Sequence, residues 1–160
     1  IAMKLNSLVD RRCIRALYRA SQAGVPVDLN IRGICCLVPG VPGVSENIRV
    51  NSVVGRFLEH SRIFAFERNG ETKVYIGSAD LMPRNLDTRV ELVTPVEDPS
   101  LRDDLLDTLE RSLADDTNSW DLGPDGVWRR RSQAGHEPRS VQRELMLGHQ
   151  ARAAEGTPGT

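Results

Sequence analysis

A histidine and several arginines lie close together in the stretch HSRIFAFERNGETKVYIGSADLMPRNLDTRVEL, residues 60–92. His60 and Arg62 are two positions apart, so on an extended chain their side chains point to the same side, and Arg89 and Glu91 repeat this spacing on a later strand. An imidazole beside fixed guanidinium groups suits a phosphoryl group better than a carbonyl group or a sugar, because a guanidinium binds phosphate oxygens through two parallel hydrogen bonds. These residues therefore predict a phosphate-binding site.

Two further segments supply groups that can approach a phosphate. Gly77-Ser78-Ala79-Asp80 follows a strand pattern, and its small residues allow backbone N–H groups and a hydroxyl to come near a ligand. Arg32 ends another predicted strand directly before Gly33, a position from which a guanidinium can hold a phosphate. Lys4 and Asn6, at the end of the first predicted strand, either line the same cleft or act as caps.

His60 and Arg32 also have structural interpretations. A lone histidine at the end of a helix is more often a surface or core residue than a working one. Arg62 on the same side weakens that alternative, as does Glu59, which can orient the ring or balance its charge. Arg32 can equally be an ordinary loop cation.

The acidic residues among the arginines leave a second alternative open. Arg84 and Arg89 can pair with Asp87 and Glu91 as a structural ion network. Asp80 and Asp87 can hold Mg²⁺, but a carboxylate flanked by arginines is more often their salt-bridge partner.

The elements that must position these residues follow from hydrophobic periodicity and from turn signals. Strands are predicted at residues 1–4, 27–31, 48–50, 63–67, 72–78 and 88–96, and helices at residues 11–23, 53–59, 99–115 and 140–154. Asp10 and Asp98 are the predicted N-caps of two of these helices, and Asn69-Gly70 predicts a tight hairpin. The initial strand-helix-strand order predicts a parallel pairing.

Composition narrows the class of protein. The 160 residues are 39% hydrophobic and 27% charged, which is typical of a globular domain, and no apolar run is long enough to span a bilayer. Cys13, Cys35 and Cys36 fit neither a disulfide framework nor a zinc site, so we expect reduced thiols in a cytoplasmic protein. We also expect a domain cut from a longer polypeptide, because Ile1 reads as part of a strand already under way.

Charge is distributed unevenly along the chain. The net charge is −1, yet residues 1–92 hold 13 Lys and Arg against 9 Asp and Glu. The capacity to bind anions is therefore concentrated in the half that carries the candidate site. The run Arg129-Arg130-Arg131 reads as a solvated loop, since hydrophobic periodicity fades beyond Trp120. We expect a folded domain at residues 1–118 and a loop-rich extension with one surface helix at residues 119–160.

Five segments together resemble one known family: QAGV, RGICCL, PGVSENIRV, FLEHSRI and SADLMPRNLD. In this order they are similar to the C-terminal catalytic domain of bacterial polyphosphate kinase of the histidine-phosphorylated type, and the resemblance covers about residues 1–125. It implies an α/β fold, a phospholipase D-like sandwich with a mixed sheet flanked by helices. In that fold, two similar halves contribute to one central site.

The chain departs from the phospholipase D pattern H-x-K, G-S-x-N and N-x-E at three places. Arg62 stands where that pattern has lysine, Asp80 where it has asparagine, and Arg89 where it has asparagine. The added guanidinium groups suit a nucleoside triphosphate or a phosphate polymer, so ordinary phosphodiester hydrolysis is not the expected reaction.

The resemblance implies an ATP:polyphosphate phosphotransferase. ATP donates its terminal phosphoryl group to a histidine in the upstream half of the polypeptide, and this phosphohistidine passes it reversibly to polyphosphate with the help of Mg²⁺. Arg32, His60 and Arg89 would contact the ATP phosphates, and Arg62 would be a further phosphate ligand. His60 and Arg89 would be the catalytic residues, with His60 acting as a hydrogen-bond donor, a general acid toward ADP or a second phosphoryl carrier.

Partners and alternatives complete the expectation. ATP, ADP, polyphosphate and the upstream half are the expected partners in a homo-oligomer, with Mg²⁺ ligands outside this chain, no nucleic acid and no transmembrane segment. The isolated chain should be inactive. Two other functions stay open: a phospholipase D-like phosphodiesterase or nuclease completed by homodimerisation, and a non-catalytic polyphosphate- or nucleotide-binding module.

Overall fold

The structure is a computed structural model that describes residues 1–131, Gly135 and residues 137–155. In chain order its elements are β1 (Ala2–Leu5), α1 (Arg11–Gln22), β2 (Val27–Ile31), β3 (Ile48–Val53), β4 (Ile63–Arg68), β5 (Glu71–Gly77), α2 (Pro83–Thr88), β6 (Val93–Val96), α3 (Pro99–Ala114), β7 (Ser119–Leu122), β8 (Trp128–Arg130) and α4 (Val141–Glu155). The eight strands form one sheet in the order β6-β5-β4-β1-β2-β3-β7-β8.

The sheet is mixed, and its strand directions determine which chain ends meet. β1, β2 and β3 are mutually parallel, whereas β4 runs antiparallel to β1 and β5 antiparallel to β4. The ends of the parallel strands at Leu5, Ile31 and Val53 therefore lie beside the start of β4 at Ile63 and the end of β5 at Gly77. We call this the site end of the sheet.

The cap signal of α1 and the hairpin signal of the sequence are confirmed. The Asp10 carboxylate accepts a hydrogen bond of 2.9 Å from the Cys13 N–H and caps α1. Gly24 follows that helix with a φ of 82°, in the left-handed region that glycine occupies most readily. Asn69 and Gly70 both have positive φ, 55° and 79°, as a two-residue hairpin between β4 and β5 requires.

Apolar side chains cover both faces of the sheet. On one face, Ile14 and Leu17 of α1 pack with strand residues such as Leu29. On the other face, Leu109 of α3 packs with Ile63, as do Ala65 and Val74. Because successive strand residues point to opposite faces, β4 contributes Phe64 to the first cluster and Ile63 and Ala65 to the second. The predicted fold class, an α/β sandwich with a mixed sheet flanked by helices, is confirmed.

The predicted helix at residues 53–59 is wrong. β3 continues to Val53, and residues 54–62, which have no helix or strand, cross the site end from β3 to β4. Of the side chains predicted to face inward, Val53 is buried, but Val54, Phe57 and Leu58 are exposed. We call residues 54–62 the strap.

The predicted strand at residues 88–96 is wrong in its first half. A short helix, α2, begins at Pro83, where the missing N–H of proline costs nothing because first-turn N–H groups have no intrahelical partner. It ends at Thr88, so β6 does not begin until Val93. For α3 the sequence predicts an apolar stripe of Leu101, Leu105, Leu109 and Leu113, and this is only partly right, since Leu101 is 59% exposed.

Two short strands after residue 118 were not predicted. β7 pairs with β3 and β8 with β7, so the sheet extends into the segment expected to be a loop-rich extension. The arginine run is not a solvated loop: Arg131 donates from Nε to Asp121 at 3.0 Å, and Arg130 lies 5.9 Å from the ring centre of Trp120.

The surface helix predicted near the C-terminus is present as α4, while the domain boundary at 118 stays a prediction. Residues 132–134, 136 and 156–160, which belong to that extension, lie outside the described residues. Among the described helices, none has the length and apolar character to cross a membrane.

Candidate functional site

Most of the predicted site residues meet at the site end of the sheet. Arg32 follows β2, His60 and Arg62 precede β4, and Ser78 and Asp80 follow β5. The reversed direction of β4 and β5 is the cause, because it brings the start of one strand and the end of the other to the ends of β1 and β2. The strand order therefore brings together five residues that the sequence had singled out.

Asp80 is the central anchor of this end. Its Oδ1 accepts hydrogen bonds from the backbone N–H groups of Asn6, at 2.8 Å, and Ser7, at 3.2 Å. Its Oδ2 pairs with Arg62 Nη2 at 3.0 Å, and the two side chains are 8% and 19% exposed. Burial raises the pKa of Asp80, but the Arg62 guanidinium and the backbone donors outweigh it and hold that pKa below its ordinary value. Asp80 is thus the salt-bridge partner of an arginine, as the sequence favoured.

All three guanidinium nitrogens of Arg62 donate hydrogen bonds within the protein. Besides Nη2, its Nε lies 3.3 Å from Asp80 Oδ1, and its Nη1 donates to the His60 carbonyl at 2.7 Å. His60 and Arg62 both precede Ile63, the first residue of β4, so they lie in the strap and not on a strand. Arg62 instead fixes the backbone of His60 relative to the β1 and β5 exits.

His60 is exposed, and among the described residues its ring makes no hydrogen bond. Glu59, expected to orient that ring, turns away from it. Its Oε2 lies 2.9 Å from Lys4 Nζ, and its Oε1 accepts from Gln142 Nε2 at 2.7 Å. Burial raises the pKa of Glu59, yet the Lys4 charge and the Gln142 hydrogen bond keep it below its ordinary value. The expected Glu59–His60 contact is therefore wrong, and the imidazole is left available to a ligand.

Arg32 joins the same network through Asn6. Its Nε donates to Asn6 Oδ1 at 2.9 Å, while the Asn6 backbone N–H donates to Asp80. The Asn6 side chain is buried, and within the described part of the chain its Nδ2 has no hydrogen-bond partner. Arg32, Asn6, Asp80, Arg62 and His60 thus form a continuous series of contacts at the site end.

Arg89 follows α2 and lies close enough to Glu91 for its charge to act on that carboxylate. It is exposed and caps the C-terminus of α2. The neighbouring Glu91 accepts hydrogen bonds from the Ser78 hydroxyl and, at 2.7 Å, from Asn85 Nδ2. These bonds, with a smaller contribution from the Arg89 charge, lower the pKa of Glu91. The Ser78 hydroxyl, predicted as a ligand donor, is therefore engaged within the protein.

The predicted ion network of Arg84 and Arg89 with Asp87 and Glu91 is not the one that forms. Asp87 instead pairs with Arg12 of α1 at 2.7 Å. This contact joins α1 to α2, and the Arg89 side chain stays exposed.

A buried polar ladder beneath the strap was not predicted. Lys4, only 4% exposed, donates to Asn30 Oδ1 at 2.9 Å. Asn30 donates to Asn51 Oδ1 at 3.0 Å, and Asn51 donates to the Ser112 carbonyl at 2.8 Å. Lys4 therefore neither lines the cleft nor caps β1. The sequence carries these polar residues, but only the strand register, which pairs Lys4 with Asn30 and Asn30 with Asn51, aligns them into a ladder.

An open cavity of about 610 Å³ adjoins the site end. His60, Ser61, Arg62 and Ser78 line one side of it, and Ile63 and other apolar residues line the rest. His149 of α4 also reaches this cavity, which places α4 beside the strap.

The sequence left Asp80 and Asp87 open as candidate ligands of Mg²⁺. Within the described ranges, no group of three or more His, Cys, Asp and Glu side chains is arranged to hold a metal ion. Both Asp80 oxygens are occupied by Arg62 and by backbone donors, so the carboxylate nearest to the site has no free coordination position.

Comparison with protein families gives a match over most of the chain. Residues 1–142 match the family described as polyphosphate kinase C-terminal domain 2. A polyphosphate kinase of Thermosynechococcus vestitus is 52% identical over 157 residues, which cover 98% of this chain and 21% of that protein. A polyphosphate kinase of Streptomyces coelicolor is 54% identical over 160 residues, with coverages of 99% and 21%. The chain therefore spans about a fifth of the length of these relatives.

Comparison of structures agrees with the comparison of sequences. The fold matches the crystal structure of polyphosphate kinase from Porphyromonas gingivalis with a TM-score of 0.89 and 41% sequence identity. The match covers 94% of this chain and 23% of that one.

Proposed function

This chain belongs to the polyphosphate kinase C-terminal domain family, and from that premise we propose that it supplies one half of the active site of an ATP:polyphosphate phosphotransferase. The observation that carries the proposal is the connected series from Arg32 to His60. It places the Arg32 guanidinium and an unpaired imidazole at one end of the sheet, with Arg62, itself paired to Asp80, holding the backbone of His60. A guanidinium and an imidazole side by side suit the phosphate oxygens of a triphosphate or a polyphosphate chain.

Phosphoryl transfer depends mainly on positioning and on stabilising charge on the transferred group. In the proposed reaction, the bond between the terminal phosphorus of ATP and the ADP oxygen breaks as a bond forms to a histidine nitrogen of the upstream half. Arg32 and Arg89, whose guanidinium groups border the site, would bind the oxygens of the transferred group. Arg62 would act mainly by holding His60 in place, since its own hydrogen bonds are directed to Asp80 and to the His60 backbone.

We assign His60 the role of hydrogen-bond donor or general acid toward the leaving ADP oxygen. Two features support this role. The ring is exposed beside the cavity, and within the described residues no internal hydrogen bond fixes its protonated nitrogen. A second phosphoryl carrier is the competing role. The test is to incubate radiolabelled ATP with an enzyme whose upstream histidine has been replaced. A radiolabel on this chain that is labile in acid and stable in base would support the carrier role over the acid role.

The remaining partners are part of the same proposal. We propose that the enzyme is a cytoplasmic homo-oligomer that uses ATP, ADP and polyphosphate, with no nucleic-acid partner. Mg²⁺ would enter with the nucleotide, and its protein ligands would belong to the upstream half, because Asp80 in this chain is fully engaged. The boundary of the domain near residue 118 is proposed to lie further along, since β7 and β8 complete the sheet.

The deciding experiment joins this chain to the upstream half of a polyphosphate kinase and measures ATP-dependent polymer formation. Wild-type protein should make polymer, His60→Ala should lose at least about 100-fold in rate, and Arg68→Ala, which removes an arginine at the other end of β4, should stay within twofold. Full activity of His60→Ala would remove its assigned role. Absence of polymer in the wild type, together with hydrolysis of bis-p-nitrophenyl phosphate by a dimer of the isolated chain, would favour a phosphodiesterase.

A further inference from the structure

The strap that carries His60 has no secondary structure of its own. It connects β3 to β4 across the site end, and Val54, Phe57 and Leu58 project from it into solvent. A segment of this kind has few internal hydrogen bonds, so its position must come from contacts with other elements. Those contacts decide where the His60 ring lies.

Gln142, near the start of α4, makes the contacts that the strap lacks. Its Oε1 accepts the Phe57 N–H at 2.9 Å, and its Nε2 donates to the Phe57 carbonyl at 2.9 Å and to Glu59 Oε1 at 2.7 Å. One amide thus binds both backbone groups of a single strap residue and the carboxylate that precedes His60. The Gln142 side chain is itself buried, with the residue 9% exposed, which fixes its orientation.

The strap is shaped to admit this amide. A Cβ atom on Gly55 would lie 2.6 Å from Gln142 Oε1 and 3.0 Å from its Cδ, closer than van der Waals contact allows. Gly55 has no positive φ, so its role is to leave space rather than to permit an unusual backbone conformation. Glycine at this position and glutamine on α4 therefore form a matched pair.

The position of His60 is then set from two sides. Lys4 and Gln142 hold the two oxygens of Glu59, and Arg62 holds the carbonyl of His60 itself. We propose that Gln142 is a positioning residue for His60, acting through the strap, and that it is required for the rate of phosphoryl transfer. The inference rests on the proposed function and adds to it a residue far along the chain that makes no contact with the imidazole.

A purely structural role, in which Gln142 serves only to attach α4, is disfavoured by the other contacts of that helix. The Val141 N–H donates to Asp115 Oδ2 at 2.9 Å, and Val141 is fully buried. Arg111 of α3 pairs with Glu144 of α4. Because these anchors do not involve the strap, α4 should stay docked when the Gln142 amide is removed.

The first measurement is steady-state kinetics of the enzyme reconstituted with the upstream half. Gln142→Ala removes the amide that binds the strap, and Gly55→Ala places a methyl group where that amide lies. Both should lower kcat about tenfold or more, since a displacement of about 1 Å in a reacting group can cost 100-fold in rate. Gln150→Ala and Gly148→Ala are matched controls on the exposed part of α4 and should stay within twofold.

Loss of stability alone must be separated from loss of positioning. Ile14→Val shortens a core side chain on the opposite face of the sheet and should lower Tm without touching the strap. Its kcat per folded molecule should equal that of the wild type. If Gln142→Ala retains wild-type kcat, or loses no more than Ile14→Val at the same loss of Tm, the inference is overturned.

The second measurement does not depend on turnover. In ¹H–¹³C spectra of the chain itself, the His60 ring resonances should shift toward free-histidine values in Gln142→Ala and in Gly55→Ala but not in Gln150→Ala. Unchanged His60 resonances in both variants would overturn the inference even if the enzyme is active. The two measurements can also disagree. If the His60 resonances shift in the variants but the reconstituted wild-type enzyme makes no polymer, the positioning of His60 by Gln142 is upheld and the proposed function is refuted.

Discussion

Replacing Asp80 by asparagine tests the physical basis of the site most directly. The substitution keeps the size and one acceptor oxygen of the side chain but removes its charge. In the wild type, that charge receives two backbone N–H groups and the Arg62 guanidinium within 3.3 Å. Asp80→Asn leaves the guanidinium charged and partly buried without a counter-charge.

The expected loss of stability follows from this burial. Removing one partner of a fully buried ion pair costs about 3–5 kcal/mol, whereas an exposed pair contributes about 0–1 kcal/mol. Asp80 is almost fully buried but Arg62 is 19% exposed, and asparagine can still accept from Asn6. We therefore expect the free energy of unfolding to fall by about 2–3 kcal/mol.

The assay is urea denaturation followed by circular dichroism, repeated across a pH range. The pKa of Asp80 is lower in the folded protein than its ordinary value, so its contribution is fully present above the unfolded pKa of about 3.9 and is lost as pH falls through the folded pKa. The difference between wild type and Asp80→Asn should be constant from pH 7 to about pH 5 and should narrow below about pH 4.

Asp87→Asn is the matched control, because it removes a carboxylate from an exposed pair with Arg12. It should cost less than about 1 kcal/mol. An Asp80→Asn protein within about 0.5 kcal/mol of the wild type at pH 7 would refute the claim that this pair anchors the site end. A loss that does not narrow in acid would refute its electrostatic origin.

Three further substitutions test other parts of the structure. Glu59→Gln leaves the buried ammonium group of Lys4 without a counter-charge and should lower the free energy of unfolding by about 2–4 kcal/mol, measured by urea denaturation; unchanged stability would contradict the buried pair. Leu109→Ala should cost about 2–5 kcal/mol by the same method because Leu109 joins α3 to the sheet, whereas Leu101→Ala, on the exposed part of that helix, should cost less than about 1 kcal/mol. Arg32→Lys keeps the charge but removes the planar pair of donors, so calorimetric titration of the reconstituted enzyme should show ATP binding weakened about tenfold; an equal Kd would contradict a two-pronged phosphate contact.

Local signals in the sequence predicted the elements whose determinants are local. The Asp10 cap and Gly24 bound α1, and Asn69-Gly70 marks the hairpin, so these boundaries were predicted to within one residue. α2 was missed because a six-residue helix shows too little periodicity, although Pro83 marks its start. β7 and β8 were missed because short strands near a sheet edge need little apolar alternation.

The strap shows why a helical pattern can fail. Val53, Val54, Phe57 and Leu58 have helical spacing, but Gln142 takes up the backbone groups that a helix would have paired. A contact made 85 positions along the chain cannot be read from a local window. Tertiary structure therefore overrode the local preference.

The sequence predicted which residues lie at the site end better than it predicted the hydrogen bonds and ion pairs that those residues make. The identities of Arg32, His60 and Arg62 follow from residue type and from positions at strand ends. The partners of Glu59 and Asp80 do not, because they depend on which strands are neighbours in a mixed sheet. The neighbour order β4-β1-β2 brings residues from distant parts of the chain together, and no spacing rule supplies that order.

The Asn69-Gly70 turn lies at the other end of β4 and β5 from the site. Each of these strands rises about 3.3 Å per residue, so the turn is roughly 20 Å from the site end. A fluorophore attached there would be outside the reach of substrate yet rigidly coupled to the strands that begin at the strap and end at Gly77. If the chain supplies one half of the site as proposed, energy transfer from such a label to one on the upstream half would test whether the two halves approach each other when a substrate binds. The label would leave Arg32, His60 and Arg89 unaltered.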